Sequence, residues 1–80
     1  MLKTCIKLAE ASSDIKLGNH RVEYTPSGRD FIYYWTVICS TNDSKRTFKT
    51  NDGGWGTSST TRAINSYRAY FTGKGYKEIS

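Results

Sequence analysis

Residues 31–39 constrain this chain more than any other segment. They read Phe-Ile-Tyr-Tyr-Trp-Thr-Val-Ile-Cys, nine consecutive residues that are β-branched, aromatic or Cys. Such residues fit a pleated, half-buried surface, so the run predicts an extended strand. It is apolar on both faces, with Tyr33 and Trp35 on one and Tyr34 on the other, which predicts a central strand with a neighbour on each side. Arg21–Thr25 supplies one neighbour, with Val22 and Tyr24 on one face. Arg46–Thr50 supplies the other, with Phe48 inward. Pro26–Asp30 and Ser40–Lys45 are turn material by composition. The three strands therefore predict an antiparallel meander. Ahead of it, Ile15-Lys16-Leu17 alternates and meets a Gly18-Asn19 turn pair.

A helical pattern follows the meander. Thr57–Thr61 is a block of hydroxyl residues, and one of the last of them should cap the helix by accepting from a first-turn amide. The helix is expected over about Thr61 to Thr72. Ala63, Ile64, Tyr67, Tyr70 and Phe71 form its apolar stripe. Arg62, Asn65, Ser66 and Ala69 face away, with Arg68 at the margin. Gly73 is placed to stop the helix and Gly75 to bend the chain again, so that Tyr76–Ile79 can return as a short edge strand. Met1–Ala11 fits helical and strand spacing alike; its good helix formers tip the balance towards a short helix ended near Ser12–Asp14. The expected fold is α+β: a small antiparallel sheet, three-stranded meander plus short edge strand, packed against one C-terminal helix, with an N-terminal helix or strand. Residues 1–80 make one small domain. Ile64, Tyr67 and Phe71 should cover Val22, Tyr24, Phe48 and alternate residues of the central run.

Length limits function. A domain of 80 residues buries roughly 60–65% of its unfolded surface. That excludes a two-domain enzyme and a deep cofactor cleft. Six Tyr, three Phe and two Trp predict a core built largely from rings. No apolar run approaches the roughly 20 residues of a membrane span, and Met1–Leu8 is too short an apolar core for a signal peptide. The expectation is a cytoplasmic protein without membrane contact. Cys5 and Cys39 are then reduced thiols. Zinc wants about four ligands, and only His20 could join them, so no metal or cofactor is expected. His20 reads as a turn residue. Asp14, Asp30, Asp43 and Asp52 fall in turns, while Glu10, Glu23 and Glu78 are scattered. Gly53-Gly54-Trp55-Gly56 lacks the Gly-Lys-Ser/Thr of a phosphate loop. No catalytic constellation emerges, and the chain reads as a non-enzyme.

What remains is surface. Twelve Lys and Arg oppose seven Asp and Glu, a net charge of +5. Such a chain attracts polyanions. Lys45, Arg46 and Lys49 cluster on one hairpin, and Arg62 and Arg68 on the outer helix face. With Trp55 as an apolar anchor, these six residues are the expected partner-binding set. Charge reversal at Arg46, Arg62 and Arg68 is expected to abolish binding and spare the fold. The aromatic central run could also stack bases if one of its faces were open.

The segment from Asn51 to Asn65, with its Gly53-Gly54-Trp55 turn, spaced threonines, Thr60-Thr61 pair, Arg62 and Ile64-Asn65, resembles a pattern in a group of small phage and prophage proteins. Leu17-Gly18-Asn19 and Thr36-Val37-Ile38 fit the same pattern, so the likeness covers about residues 17–72; it departs at Ser59, where a charged or longer residue is more usual. The resemblance implies a phage or prophage origin and a small α+β domain; the group has no established activity, so none is implied. The motif itself reads as capping and packing, as an anion site at Thr57–Arg62, or as a Trp55 anchor. The leading functional expectation is a non-enzymatic inhibitor or modulator of a host protein or ribonucleoprotein, such as an anti-CRISPR or anti-defence protein, acting in the bacterial cytosol as a monomer or small homo-oligomer. The alternative is a small basic nucleic-acid-binding accessory protein that uses Lys, Arg and aromatic side chains.

Overall fold

The computed structural model describes residues 2–54 and 56–79. Two helices and six strands follow one another as α1 (Lys3–Glu10), β1 (Ile15–Leu17), β2 (His20–Tyr24), β3 (Gly28–Tyr33), β4 (Thr36–Asn42), β5 (Thr47–Thr50), α2 (Ser58–Gly73) and β6 (Lys77–Glu78). The strands form one sheet in sequence order. β1 to β5 are an antiparallel meander, and β6 returns after α2 to lie parallel to β5. The fold is α+β with a C-terminal helix on a mainly antiparallel sheet, and the N-terminal segment is a helix.

The sheet has more strands than the sequence predicts. The largest difference is in the 31–39 run, which is a hairpin and not one strand. Tyr33 pairs with Thr36, leaving Tyr34 and Trp35 as a two-residue loop. Neither is a Gly or Asn, so the turn carries no compositional signal. Tyr34 accepts φ 55, and Asn19 holds it there: the Tyr34 amide donates to the Asn19 carbonyl at 2.9 Å, and Asn19 Nδ2 donates to the Tyr34 hydroxyl at 3.0 Å. The physical reason for the split is coverage. Both helices lie on one face of the sheet, so a nine-residue strand apolar on both faces would leave one face bare. A register shift after Phe31 pairs Ile32 with Val37 and Phe31 with Cys39, so Ile38 and Cys39 both turn inward. Further upstream, Gly28, Arg29 and Asp30 begin β3 instead of belonging to the turn. Gly28 is required there, because a Cβ would overlap the Thr41 carbonyl of the neighbouring strand.

Cys5, Leu8 and Ala9 of α1 and Ala63, Ile64, Tyr67 and Phe71 of α2 close over Val22, Phe31, Cys39 and Phe48. Ala63, Ile64, Tyr67 and Phe71 of the expected α2 stripe are buried and Tyr70 is half-buried, and two further residues depart from the expected packing. Ser66 is buried as well, donating to the Arg62 carbonyl and accepting from the Leu2 amide at the start of α1, each at 2.9 Å. Tyr24 stays at the rim, its hydroxyl donating to the Ala11 carbonyl, because β2 outruns the helices there.

Both ends of α2 lie beyond their predicted positions. Thr57 is the N-cap, its hydroxyl accepting from the Thr60 amide, so the helix starts three residues early. At the other end Gly73 is still helical. Gly75, at φ 87, makes the stop: its amide donates to Thr72 O and the Tyr76 amide to Phe71 O, while the Tyr76 and Phe71 rings meet at 5.1 Å. This is the Schellman arrangement with its hydrophobic contact. Gly75→Ala should cost about 1 kcal/mol, since an L side chain disfavours this φ; a urea melt of the variant checks it.

Cys5 and Cys39 are both buried and unlinked. Burial raises both thiols above their ordinary value, Cys39 to about 12. The thiolate is the reactive form. A thiol reagent should therefore leave the native protein essentially unmodified at neutral pH and titrate two thiols per chain after denaturation. Rapid native labelling would show that this core opens.

Candidate binding surface

The expected site residues do not form one surface. Lys45 lies in the β4–β5 turn, where its amide donates to Asn42 Oδ1. Lys49 is exposed on β5, paired in register with Ser40. By strand alternation it lies on the sheet face opposite the helices, together with Arg21, Glu23, Asp30, Ile32 and Val37. Arg46 has φ 55 and turns back to the tail: its guanidinium donates to the Lys74 carbonyl and lies 5.4 Å over the Tyr76 ring, and its carbonyl accepts from the Lys77 amide. Arg68 is likewise engaged. Nε and Nη2 donate to Glu78 at 2.9 and 3.1 Å, Nη1 to Asn65 and Nη2 to Thr50. The Arg68 guanidinium holds the Glu78 carboxyl below the usual carboxylate range. Reversing Arg46 and Arg68 would thus disturb the docking of β6, so the triple reversal is not a clean binding test. Trp55 lies outside the described residues. Arg62 is exposed near the start of α2, with no side-chain ion pair among the described residues.

A different constellation lies between the β3–β4 loop and the start of α2, with Arg62 at its edge. Trp35 is 88% exposed and Tyr34 54% exposed, side by side on the β3–β4 loop. Behind them Tyr33 is half-buried, its ring 4.6 Å from Tyr34 on one side and stacked at 4.4 Å on His20 on the other. His20 is thus the first residue of β2 and part of a ring stack; partial burial lowers its pKa, favouring the neutral imidazole. The loop faces the start of α2 across a cleft of about 410 Å³, walled by Tyr33, Trp35 and Ile38 on one side and by Thr57, Ser59 and Thr60 on the other. A second cleft, about 330 Å³, shares Tyr33 and Ser59 with the first and reaches His20 and Arg62. No carboxylate lines either cleft among the described residues.

Sequence reasoning missed the loop because it counted Tyr33, Tyr34 and Trp35 as strand residues. One signal pointed to it: a run apolar on both faces needs two covering layers, and a chain this short has few helical residues to build them.

Elsewhere several charges are held by other groups of the chain. Asp43 pairs with Arg29, Glu23 with Arg21 and Glu78 with Arg68. Asp30 accepts from Ser40, and Asp14 from the Tyr24 amide. No helix of the described residues is long and apolar enough to cross a membrane. Comparison with protein-family models, curated proteins and solved structures finds no match, so the surface is read from its own geometry.

Proposed function

We propose that this chain is a non-enzymatic phage or prophage protein that binds a host protein or ribonucleoprotein complex and inhibits or modulates it by occupying a surface, as an anti-CRISPR or other anti-defence protein would. The observation that carries this reading is the Tyr34-Trp35 loop. An indole 88% exposed at a hairpin tip contributes almost nothing to its own core, and aromatic anchors of this kind dominate binding energy at interfaces. The tip is also held rigid: Asn19 grips Tyr34 through backbone and side chain, which lowers the entropy lost on docking. The positive φ of Tyr34 is a backbone conformation that bulky residues seldom adopt, and such outliers cluster at functional sites. The net charge of +5 favours a partner with an acidic or nucleic-acid surface. The phage resemblance of residues 51–65 suggests the setting, a bacterial cytosol.

Affinity capture from a bacterial lysate tests the reading. The immobilised chain should retain a discrete complex that Trp35→Ala releases, with the variant's melting temperature unchanged. Equal capture by wild type and Trp35→Ala would remove the loop from the interface and the reading with it.

A further inference from the structure

We infer that the Tyr34-Trp35 loop and the adjoining clefts bind single-stranded nucleic acid, with a base stacked on the exposed indole and a neighbouring phosphate at Arg62. The inference rests on the reading of the chain as a binding protein and names the part of a ribonucleoprotein target that it grips: an exposed strand.

Three features of the surface select this occupant. The first is a free ring face. Trp35 is 88% and Tyr34 54% exposed, on a two-residue loop whose backbone conformation Asn19 fixes. Every base has a π-face, so a fixed aromatic surface takes bases with little regard to sequence. The second is charge. The two clefts that flank the loop carry no carboxylate among the described residues, and Arg62, which lines the cleft beside Tyr33 and Ser59, has no ion pair among them. A guanidinium offers a phosphate two parallel donors. The third is the remaining wall. Ser59 is exposed on the wall facing the indole, beside the capping Thr57 and the buried Thr60, and Ser and Thr commonly contact phosphate and sugar. A polyanion with planar bases answers all three. A protein partner would have to bring an acidic rim and a ring-sized pocket together.

The arrangement also differs from the sheet platform of common RNA binders. There, rings project from the strand faces. Here the sheet face opposite the helices presents Arg21, Glu23, Asp30, Ile32, Val37 and Lys49 by strand alternation, and the exposed rings sit instead on the loop between β3 and β4.

The test is fluorescence anisotropy with end-labelled oligouridylate and oligothymidylate of about ten nucleotides, long enough to span one small binding site, over a salt series. Wild type should bind either strand more tightly than a duplex of the same length. Trp35→Ala should weaken binding about tenfold or more, as loss of a stacked base does. Arg62→Ala should weaken it and lower the slope of log affinity against log salt by about 0.7, one phosphate contact on a single strand. Lys74→Ala, an exposed charge at the far end of α2 from Arg62, should lower affinity far less. Both site variants should keep the wild-type melting temperature. Binding that Trp35→Ala leaves intact, or that is equally tight for duplex, overturns the inference as diffuse attraction to a basic protein. If no oligonucleotide binds, yet a Trp35-dependent complex survives nuclease treatment of the lysate, the inference is overturned and the wider binding function stands. If neither occurs, both fall.

Discussion

Truncating Phe71 to Ala will destabilise the protein by about 3–5 kcal/mol, most of the stability available to a domain of this size. Phe71 is 1% exposed and sits where the sheet, α2 and the tail converge. Its ring lies 5.6 Å from Phe31, 5.9 Å from Phe48, 5.2 Å from Tyr70 and 5.1 Å from Tyr76. Removing it leaves a cavity walled by rigid rings that cannot collapse inward, the situation in which large-to-small changes cost most. The Schellman turn loses its hydrophobic contact in the same step. Arg62→Ala and Asn65→Ala, on the exposed face of α2, should each cost well under about 1 kcal/mol. Urea melts of the three variants decide the matter. Equal losses would mean that α2 presents a different face to the sheet.

Arg29→Ala should cost about 2–4 kcal/mol, the range for stripping a largely buried charged group of its hydrogen bonds. The Arg29 side chain is 11% exposed. It joins three parts of the molecule. Nε and Nη2 bind the Asp43 carboxylate at 3.1 and 2.8 Å, and Nη1 caps α1 through the Ala9 carbonyl at 2.7 Å. The guanidinium also lies 5.7 Å from the Phe31 ring centre and 5.3 Å from that of Phe71. Asp43 in turn accepts from the Tyr76 hydroxyl at 2.6 Å, which ties in the tail. Partial burial works to raise the Asp43 pKa, but Arg29 and Tyr76 outweigh it and hold the carboxyl below its ordinary value. A carboxylate depressed in the folded state stabilises fully above its unfolded pKa, and that contribution fades as pH falls through the folded value. Wild-type stability should therefore decline below about pH 4. Asp43→Asn should be less stable at pH 7 and show a shallower acid slope. An Asp43→Asn protein with the wild-type acid slope would assign that slope to other carboxylates.

Much of the architecture was legible because it follows from short-range pattern. The α2 stripe of Ala63, Ile64, Tyr67 and Phe71 is an i, i+1, i+4, i+8 spacing that only a helix gathers onto one side. Val22 and Phe48 alternate with polar neighbours and lie inward as alternation requires. The N-terminal segment was ambiguous by spacing, and its helix formers leaned the right way. Three things were not legible. The Tyr34-Trp35 turn has no Gly, Asn or Asp, and its positive φ is stabilised by Asn19, a residue in a separate turn. Arg29 reads as a turn charge, and nothing local shows that Asp43, Ala9 and Tyr76 converge on it. Arg46 and Arg68 read as free surface charge, yet each is engaged by the tail that β6 brings back.

The sequence by itself determined the strands around Val22 and Phe48, the C-terminal helix and which of its faces is apolar. It also determined that rings such as Phe31, Phe48, Tyr67 and Phe71 are among the largest buried groups, although aliphatic residues and cysteines make up the rest of the core. Those outcomes depend on neighbours within one turn or one pleat, where periodicity and side-chain shape decide. Tertiary structure alone decided where the 31–39 run breaks, which cations are spent on internal bonds and which remain for a partner. Those depend on groups 10 to 33 residues apart, as in the Arg68–Glu78 and Asp43–Tyr76 bonds. Such groups meet only after the sheet has formed, both helices have closed over one of its faces and the tail has docked beside β5.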